Sequence, residues 1–400
     1  MHSNRLSRSN GLDTLRALAI VLVFCYHYMV FVSGEPTFGW LSTAGWVGVD
    51  LFFVLSGYLI GNQVFALWAA GQKISLSAFY ARRALRTWPV FWLVLAAFFI
   101  FPASMGGRTP PPLWTFLTFT QNYQLQPGTA FSHAWSLCIE EQFYAVFPLV
   151  VLAAWWLRAR LPGGGGGDAQ AQVQSPLGLR LAWLLMAGLL ALGVGARTVL
   201  WFQYGLEEGN AIQGYHPHIY YATLCRFDEF LPGLAVAMVK NFYPALWRKV
   251  IQSGMGFFCA GLLACAAMLY GVLQHYSIEG YGYGFFMTAF GYSLIAWAFG
   301  LLVASALAPR SPWHWLRVPG AQHLALWSYS IYLIHKPLAF YIHRHTAQWS
   351  LTPGLELAAV VLGSLALGAV LYHAVELPFM RLRDARFPGL TKRQTSTSPG

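Results

Sequence analysis

The chain has 400 residues, 57% of them hydrophobic and only 10% charged, which leaves too little polar surface to clothe a water-soluble fold and identifies an integral membrane protein. Its formal net charge of +11 does not indicate nucleic acid, because the basic residues lie between apolar runs instead of along one face, the positive-inside pattern. The five cysteines, Cys25, Cys138, Cys225, Cys259 and Cys265, fall in apolar segments without metal-ligand spacing, so neither a disulfide framework nor a metal site is expected.

The first apolar run, Leu12 to Val32, follows a basic start as a signal peptide would. It is too long and too charged for one and lacks a small-residue cleavage site, so it is kept as a mature span. It carries Asp13, Arg16 and His27. An Asp or Arg at the bilayer midplane costs about 2.5 kcal/mol or more, which makes ionisable groups inside a span functional candidates. At about 100° and 1.5 Å per residue, the step from Arg16 to His27 returns to within roughly 20° of the same face, some 16 Å further along. One helix thus presents a cation near one membrane surface and an imidazole in the opposite leaflet.

Apolar runs of about 20 residues near 12–33, 45–66, 88–104, 134–157, 181–201, 219–239, 251–273, 284–308, 322–342 and 354–376 predict an all-α polytopic protein of about ten transmembrane helices, the third of them short. Segments expected inside hold nearly all the basic residues, among them Arg5, Arg8, Arg82, Arg83, Arg86, Lys249 and Arg383; those expected outside hold only Arg108 and Arg344. Both termini are therefore expected in the cytoplasm, and the protein in the cell inner membrane. The outside loop 106–132, rich in Pro, Thr and aromatic residues, is expected to lie partly on the membrane surface or to form a lid. Loop 158–180, with Gly163 to Gly167, reads as a flexible cytoplasmic linker, and 391–400 as a disordered tail. Residues 1–390 form one transmembrane domain, with no repeat and no second soluble domain.

Counted inward from the expected outer ends, His27, Asp50, Glu140, Glu141, Arg226, Asp228 and Glu229 all lie within about 5–15 Å of the outer surface. His335 and Lys336 fall in the same leaflet. Such a layer suits a buried reaction chamber more than snorkelling side chains, and pairing across helices would offset part of the desolvation cost.

With these residues in view the chain resembles the acyltransferase 3 family of membrane-bound acyltransferases. The resemblance runs from Leu12-Asp-Thr-Leu-Arg16 with its spacing to His27, through Gly48-Val-Asp50 and Ser56-Gly57, to Arg82-Arg83-Ala-Leu-Arg86 before Pro89. It continues through His133-Ala-Trp135-Ser136, Glu140-Glu141-Gln142-Phe143-Tyr144, Arg226-Phe-Asp228 to Gly233, and Ser328-Tyr-Ser330 to His335-Lys-Pro337. Order and spacing over nearly the whole chain make it specific. It implies transfer of an acyl group, often acetyl, from a cytoplasmic coenzyme A thioester to a hydroxyl of an extracytoplasmic acceptor, typically an envelope glycan or glycolipid. Acyl-CoA is then a co-substrate and no cofactor is held. The closing motif departs from the family's Glu-Lys-Pro-Phe-Arg type, reading Glu376-Leu-Pro378-Phe-Met-Arg381, so that end is given no catalytic role. A fused hydrolase-like domain of the kind some members carry is not expected here.

On this reading neutral His27 removes the acceptor's proton, an imidazole being well poised for that near neutral pH; a transient acyl-histidine is the alternative. Glu140 orients His27 as the third member of a triad would, with Asp50 as second candidate and Glu141 structural. Arg16 lies on the donor's route. Arg82, Arg83 and Arg86 are either positive-inside anchors or forks for the coenzyme's phosphates. Arg226, Asp228, His335 and Tyr144 divide between bracing and oxyanion or acceptor binding, and Ser56-Gly57 allows close helix packing. A secondary transporter or flippase of a lipid-linked glycan is the competing class, but the inverted repeats and matched broken helices it calls for are not evident.

Overall fold

The computed structural model describes residues 10–72, 74–160, 176–206 and 211–387; Gly163 to Gly167 and the tail 391–400 lie outside them. Helices dominate because a chain crossing hydrocarbon must satisfy each backbone group within its own segment. The principal helices are α1 (Asn10–Tyr28), α2 (Gly48–Ala69), α3 (Leu76–Ile100), α4 (Trp135–Arg160), α5 (Pro176–Tyr204), α6 (Leu231–Phe242), α7 (Gly254–His275), α8 (Tyr292–Ala306), α9 (Ala321–His345) and α10 (Pro353–Leu371). A π-helical turn Met29–Ser33 prolongs α1, and another, Tyr372–Glu376, leads α10 into the helix Leu377–Arg386. Among the described residues, 8 helical runs are long and apolar enough to cross a membrane. The protein is an all-α polytopic membrane protein.

α1 packs between α2 and α9, while α6 and α8 close on α2. α5, α7 and α10 lie outside this group and turn Leu184, Leu263 and Leu362 outward. Glycines set the closest crossings. A Cβ on Gly57 of α2 would stand 2.2 Å from the Phe230 carbonyl oxygen, and one on Gly233 of α6 would stand 2.1 Å from that of Val54. These two helices therefore touch backbone to backbone, as small residues allow in membrane bundles.

Two sequence expectations are corrected. The third span is not short: the Ser75 hydroxyl accepts from the Ala78 N–H at 3.4 Å and starts α3 at Leu76, so Arg82, Arg83 and Arg86 sit within the helix. The run 219–239 is not one helix. A π turn, His216–Tyr220, a short helix, Thr223–Arg226, and a 3₁₀ turn, Phe227–Phe230, precede α6, and the charges Arg226, Asp228 and Glu229 occupy this broken stretch.

The loop 106–132 is half inserted among the helices and half exposed, with Leu113, Trp114, Leu117 and Tyr123 on its outer side. Gln121 and Asn122 are buried; Asn122 donates to the Tyr221 carbonyl and to Thr223 Oγ1, each at 2.9 Å, and Gln142 donates to the Phe119 carbonyl at 2.7 Å.

Candidate active site

His27 stands in the last turn of α1, its Nδ1 2.7 Å from Nε2 of His335 on α9, with the rings stacked at 5.0 Å and 11°. His335 Nδ1 lies 2.9 Å from the Ile331 carbonyl oxygen. A carbonyl only accepts, so in the neutral pair His335 Nδ1 carries hydrogen and its Nε2 offers a lone pair. His27 Nδ1 is then the donor, and His27 Nε2 is left with a lone pair unspent on protein. The ring borders a cavity of about 440 Å³ walled by aromatic faces, among them Tyr26, Trp46, Trp135, Tyr220, Tyr276 and Tyr283, with His133 and His216 alongside. Ring faces with a few placed polar groups make a site for a bulky organic ligand.

Two smaller spaces continue toward the other end of α1. A middle cavity of about 80 Å³ is lined by Arg16, Ser56, Arg83, Arg86, Glu140, Tyr144 and Tyr332. A vestibule of about 310 Å³, bounded by Asp13, Arg16, Arg86, Glu376 and Arg383, shares Arg16 and Arg86 with it. Tyr332 belongs to both the middle and outer linings. Its hydroxyl donates to the His133 carbonyl at 2.6 Å and so accepts from Ser136 Oγ, also at 2.6 Å, which holds the ring as a partition between the two.

Several expected neighbours are separated. Glu140 does not reach His27: its carboxylate accepts from Ser56 Oγ at 3.1 Å and from the Tyr144 hydroxyl at 2.8 Å. His133, not Glu140, is beside His27, the two rings being 6.3 Å apart, and Glu140 lies seven residues further along the chain, about 10 Å away at helical rise.

Asp50 is likewise not an orienting partner of His27. It is fully buried and paired with Arg226 Nη2 at 3.3 Å, while Arg226 Nε meets Glu229 at 2.6 Å. The Arg226 guanidinium lies 4.0 Å from the Tyr292 ring centre, and the residue is absent from the outer lining. Asp228 takes a two-pronged bond from Arg197 at 2.7 and 2.9 Å and a third from Ser293 at 2.5 Å. Arg197 was not singled out from sequence; its signal is a lone arginine in the run 181–201, which demands a buried anion.

The arginine cluster divides. Arg83 and Arg86 line cavities, whereas Arg82 turns to the C-terminal helix, pairing with Asp384 at 3.3 Å and with the Phe387 carbonyl. Glu141 accepts from Thr87 and Trp88 at 2.7 and 3.2 Å. The end given no catalytic role nevertheless sends Glu376 and Arg383 into the vestibule.

A polytopic bundle that carries histidine, arginine and carboxylate groups into a file of interior cavities defines a membrane protein with an enclosed reaction or transport path. The acyltransferase domain of the acyltransferase 3 family matches residues 9–373, and the chain belongs to that family. It is 28% identical over 249 residues to the peptidoglycan O-acetyltransferase OatA of Listeria monocytogenes, covering 58% of this chain and 34% of the relative. It is 25% identical over 408 residues to the O-acetyltransferase OatA of Staphylococcus aureus, covering 96% and 59%. The putative peptidoglycan O-acetyltransferase YrhL of Bacillus subtilis is 27% identical over 359 residues, covering 82% and 48%. The chain thus spans between a third and three fifths of the length of these relatives. No solved structure matches it.

Proposed function

We propose that the protein is a membrane O-acetyltransferase that takes acetyl from acetyl-CoA on the cytoplasmic side and esterifies a hydroxyl of a cell-envelope glycan on the other. The observation that carries this reading is the file of three cavities, with arginines at one end and an uncommitted imidazole nitrogen at the other. The coenzyme's phosphates meet Arg86, Arg383 and Arg16 in the vestibule, where guanidinium forks match phosphate geometry. The acylated arm extends through the middle cavity past Glu140 to Tyr332. A sugar ring lies against the aromatic walls of the outer chamber and turns a hydroxyl to His27 Nε2.

His27 takes the hydroxyl proton as the oxygen attacks the thioester carbonyl. The tetrahedral oxyanion collapses to the ester, and the coenzyme leaves as thiolate, which recovers the proton from the His27 imidazolium. His335 accepts from His27 Nδ1 throughout and keeps the ring in the reactive tautomer.

The test is purified protein in lipid, supplied with acetyl-CoA and a soluble peptidoglycan oligosaccharide, with free thiol and acetylated saccharide both measured. Wild-type protein is expected to form both in equal amounts, and His27→Ala to lose at least about a hundredfold in rate. Undiminished transfer by His27→Ala would refute the mechanism. Translocation of the glycan without any ester would favour the transporter reading.

A further inference from the structure

We propose that Tyr332 makes the reaction choose a glycan hydroxyl over water, by keeping the donor's thioester in the middle cavity until a sugar stands beside His27. This rests on the reading that donor and acceptor enter the cavity file from opposite ends. The competing reaction is built into the site, because an imidazole nitrogen able to take a proton from a sugar hydroxyl can take one from water. The oxygen of that water then attacks the thioester carbonyl, and acetate and the coenzyme's thiol are released with no ester made. Size cannot shut water out of an outer chamber of about 440 Å³. Nor is the chamber sealed, since Thr43, Gly128 and Ser277 of its lining are exposed.

The middle cavity differs. None of its lining residues is exposed, and among the described residues Tyr332 alone lines both it and the outer chamber. Tyr332 is 4% exposed and is held on several sides. Its hydroxyl spends its hydrogen on the His133 carbonyl and a lone pair on Ser136, both at 2.6 Å. Its ring stands 5.9 and 6.0 Å from those of His133 and His335, and edge-on to Phe52 at 6.5 Å. At the next residue the Leu333 carbonyl accepts from His133 Nε2 at 3.2 Å, so the clasp between α9 and the segment leading into α4 is doubled. Displacing the ring leaves a buried carbonyl and a buried hydroxyl unpaired, which is costly. A sugar packed against the chamber walls, the Tyr332 ring among them, supplies binding energy for that displacement, and a water molecule does not. The thioester then crosses into a chamber from which the sugar has expelled water.

The experiment gives purified protein in lipid acetyl-CoA with and without a soluble peptidoglycan oligosaccharide. Free thiol, acetate and acetylated saccharide are measured for wild type, Ser136→Ala, Tyr332→Phe and Tyr332→Ala. Wild type is expected to release thiol at least about tenfold faster with the saccharide than without it, and to make one ester for each thiol. Tyr332→Ala opens the passage and is expected to release thiol at the same rate in both conditions, with most of the acetyl group recovered as acetate. Ser136→Ala and Tyr332→Phe keep the ring but loosen its clasp, and are expected to fall between the two. These are ratios within one preparation, so a structural role that only lowers the amount of active protein does not move them. Thiol release by wild type that ignores the saccharide, with ester still formed in its presence, overturns the assignment and leaves the acetyltransferase reading standing. Wild-type ratios in the variants overturn it too, and Ser136→Ala decides should the Tyr332 variants fail to fold. No ester from wild type overturns the acetyltransferase reading itself, and the proposal with it.

Discussion

A histidine can act as a base toward a hydroxyl only when one ring nitrogen is fixed as donor and the other is bare. Here the fixing group is a second histidine, itself fixed by a backbone carbonyl four residues back on its helix. The arrangement supplies orientation without an anion, and Glu140 stands instead with Arg16, Arg83 and Arg86 in the lining of the middle cavity. Replacing His335 by Ala removes the acceptor for His27 Nδ1–H, and kcat should fall by about a hundredfold or more while KM for acetyl-CoA stays put. His335→Gln keeps an acceptor oxygen and should recover part of the loss. A merely structural histidine would instead lower thermal stability and depress both variants alike. His27 was legible in the sequence from its register with Arg16 on one helix. Its contact with His335 was not, since 308 positions separate them and single-chain periodicity carries no information about which helices meet.

At the scale of elements, the run lengths gave most spans to within a few residues, because hydrocarbon thickness and helical rise dictate them. Irregular elements escaped. Of the π-helical turns, Met29–Ser33 and His216–Tyr220 contribute to the outer chamber and Tyr372–Glu376 to the vestibule. An inserted residue widens the turn and re-aims its side chains, yet leaves the apolar content of the run unchanged and so casts no shadow in hydropathy. The α2–α6 crossing is the element contact most open to test. Gly57→Ala forces a methyl against the Phe230 carbonyl, an overpacking that should cost about 1–3 kcal/mol and lower the melting temperature of detergent-solubilised protein. Gly188 on α5 is exposed, with nothing within 4 Å of an added Cβ, so Gly188→Ala should leave the melting temperature unchanged within error. Equal melting for all three proteins would mean that α2 and α6 are not in backbone contact.

At the scale of the molecule, two buried ion clusters tie the broken stretch before α6 to α2, α5 and α8, through Arg226 with Asp50 and through Arg197 with Asp228 and Ser293. Sequence depth alone placed Asp50, Arg226 and Asp228 of these clusters in one layer with His27, Glu140 and His335. Buried charges recruit one another, and a group that already has partners needs no substrate; the pairing divides the layer into a brace and a remainder that contains the His27–His335 pair. That remainder faces one end of the bundle and the arginine vestibule the other, so the ends of the cavity file should differ in access. In a background with the native cysteines replaced, Ser277→Cys, on the outer lining, and Met380→Cys, on the vestibule lining, report the two ends. A membrane-impermeant maleimide applied to intact cells is expected to label Ser277→Cys promptly and to reach Met380→Cys only after the membrane is permeabilised, as the positive-inside distribution requires. Acetyl-CoA should protect Met380→Cys and leave labelling of Ser277→Cys unaffected, because the bulk of the donor fills the vestibule and only its thioester end passes Tyr332 to reach His27. Labelling of Met380→Cys from outside intact cells, or protection of Ser277→Cys by acetyl-CoA alone, would reverse the direction of transfer through the bundle.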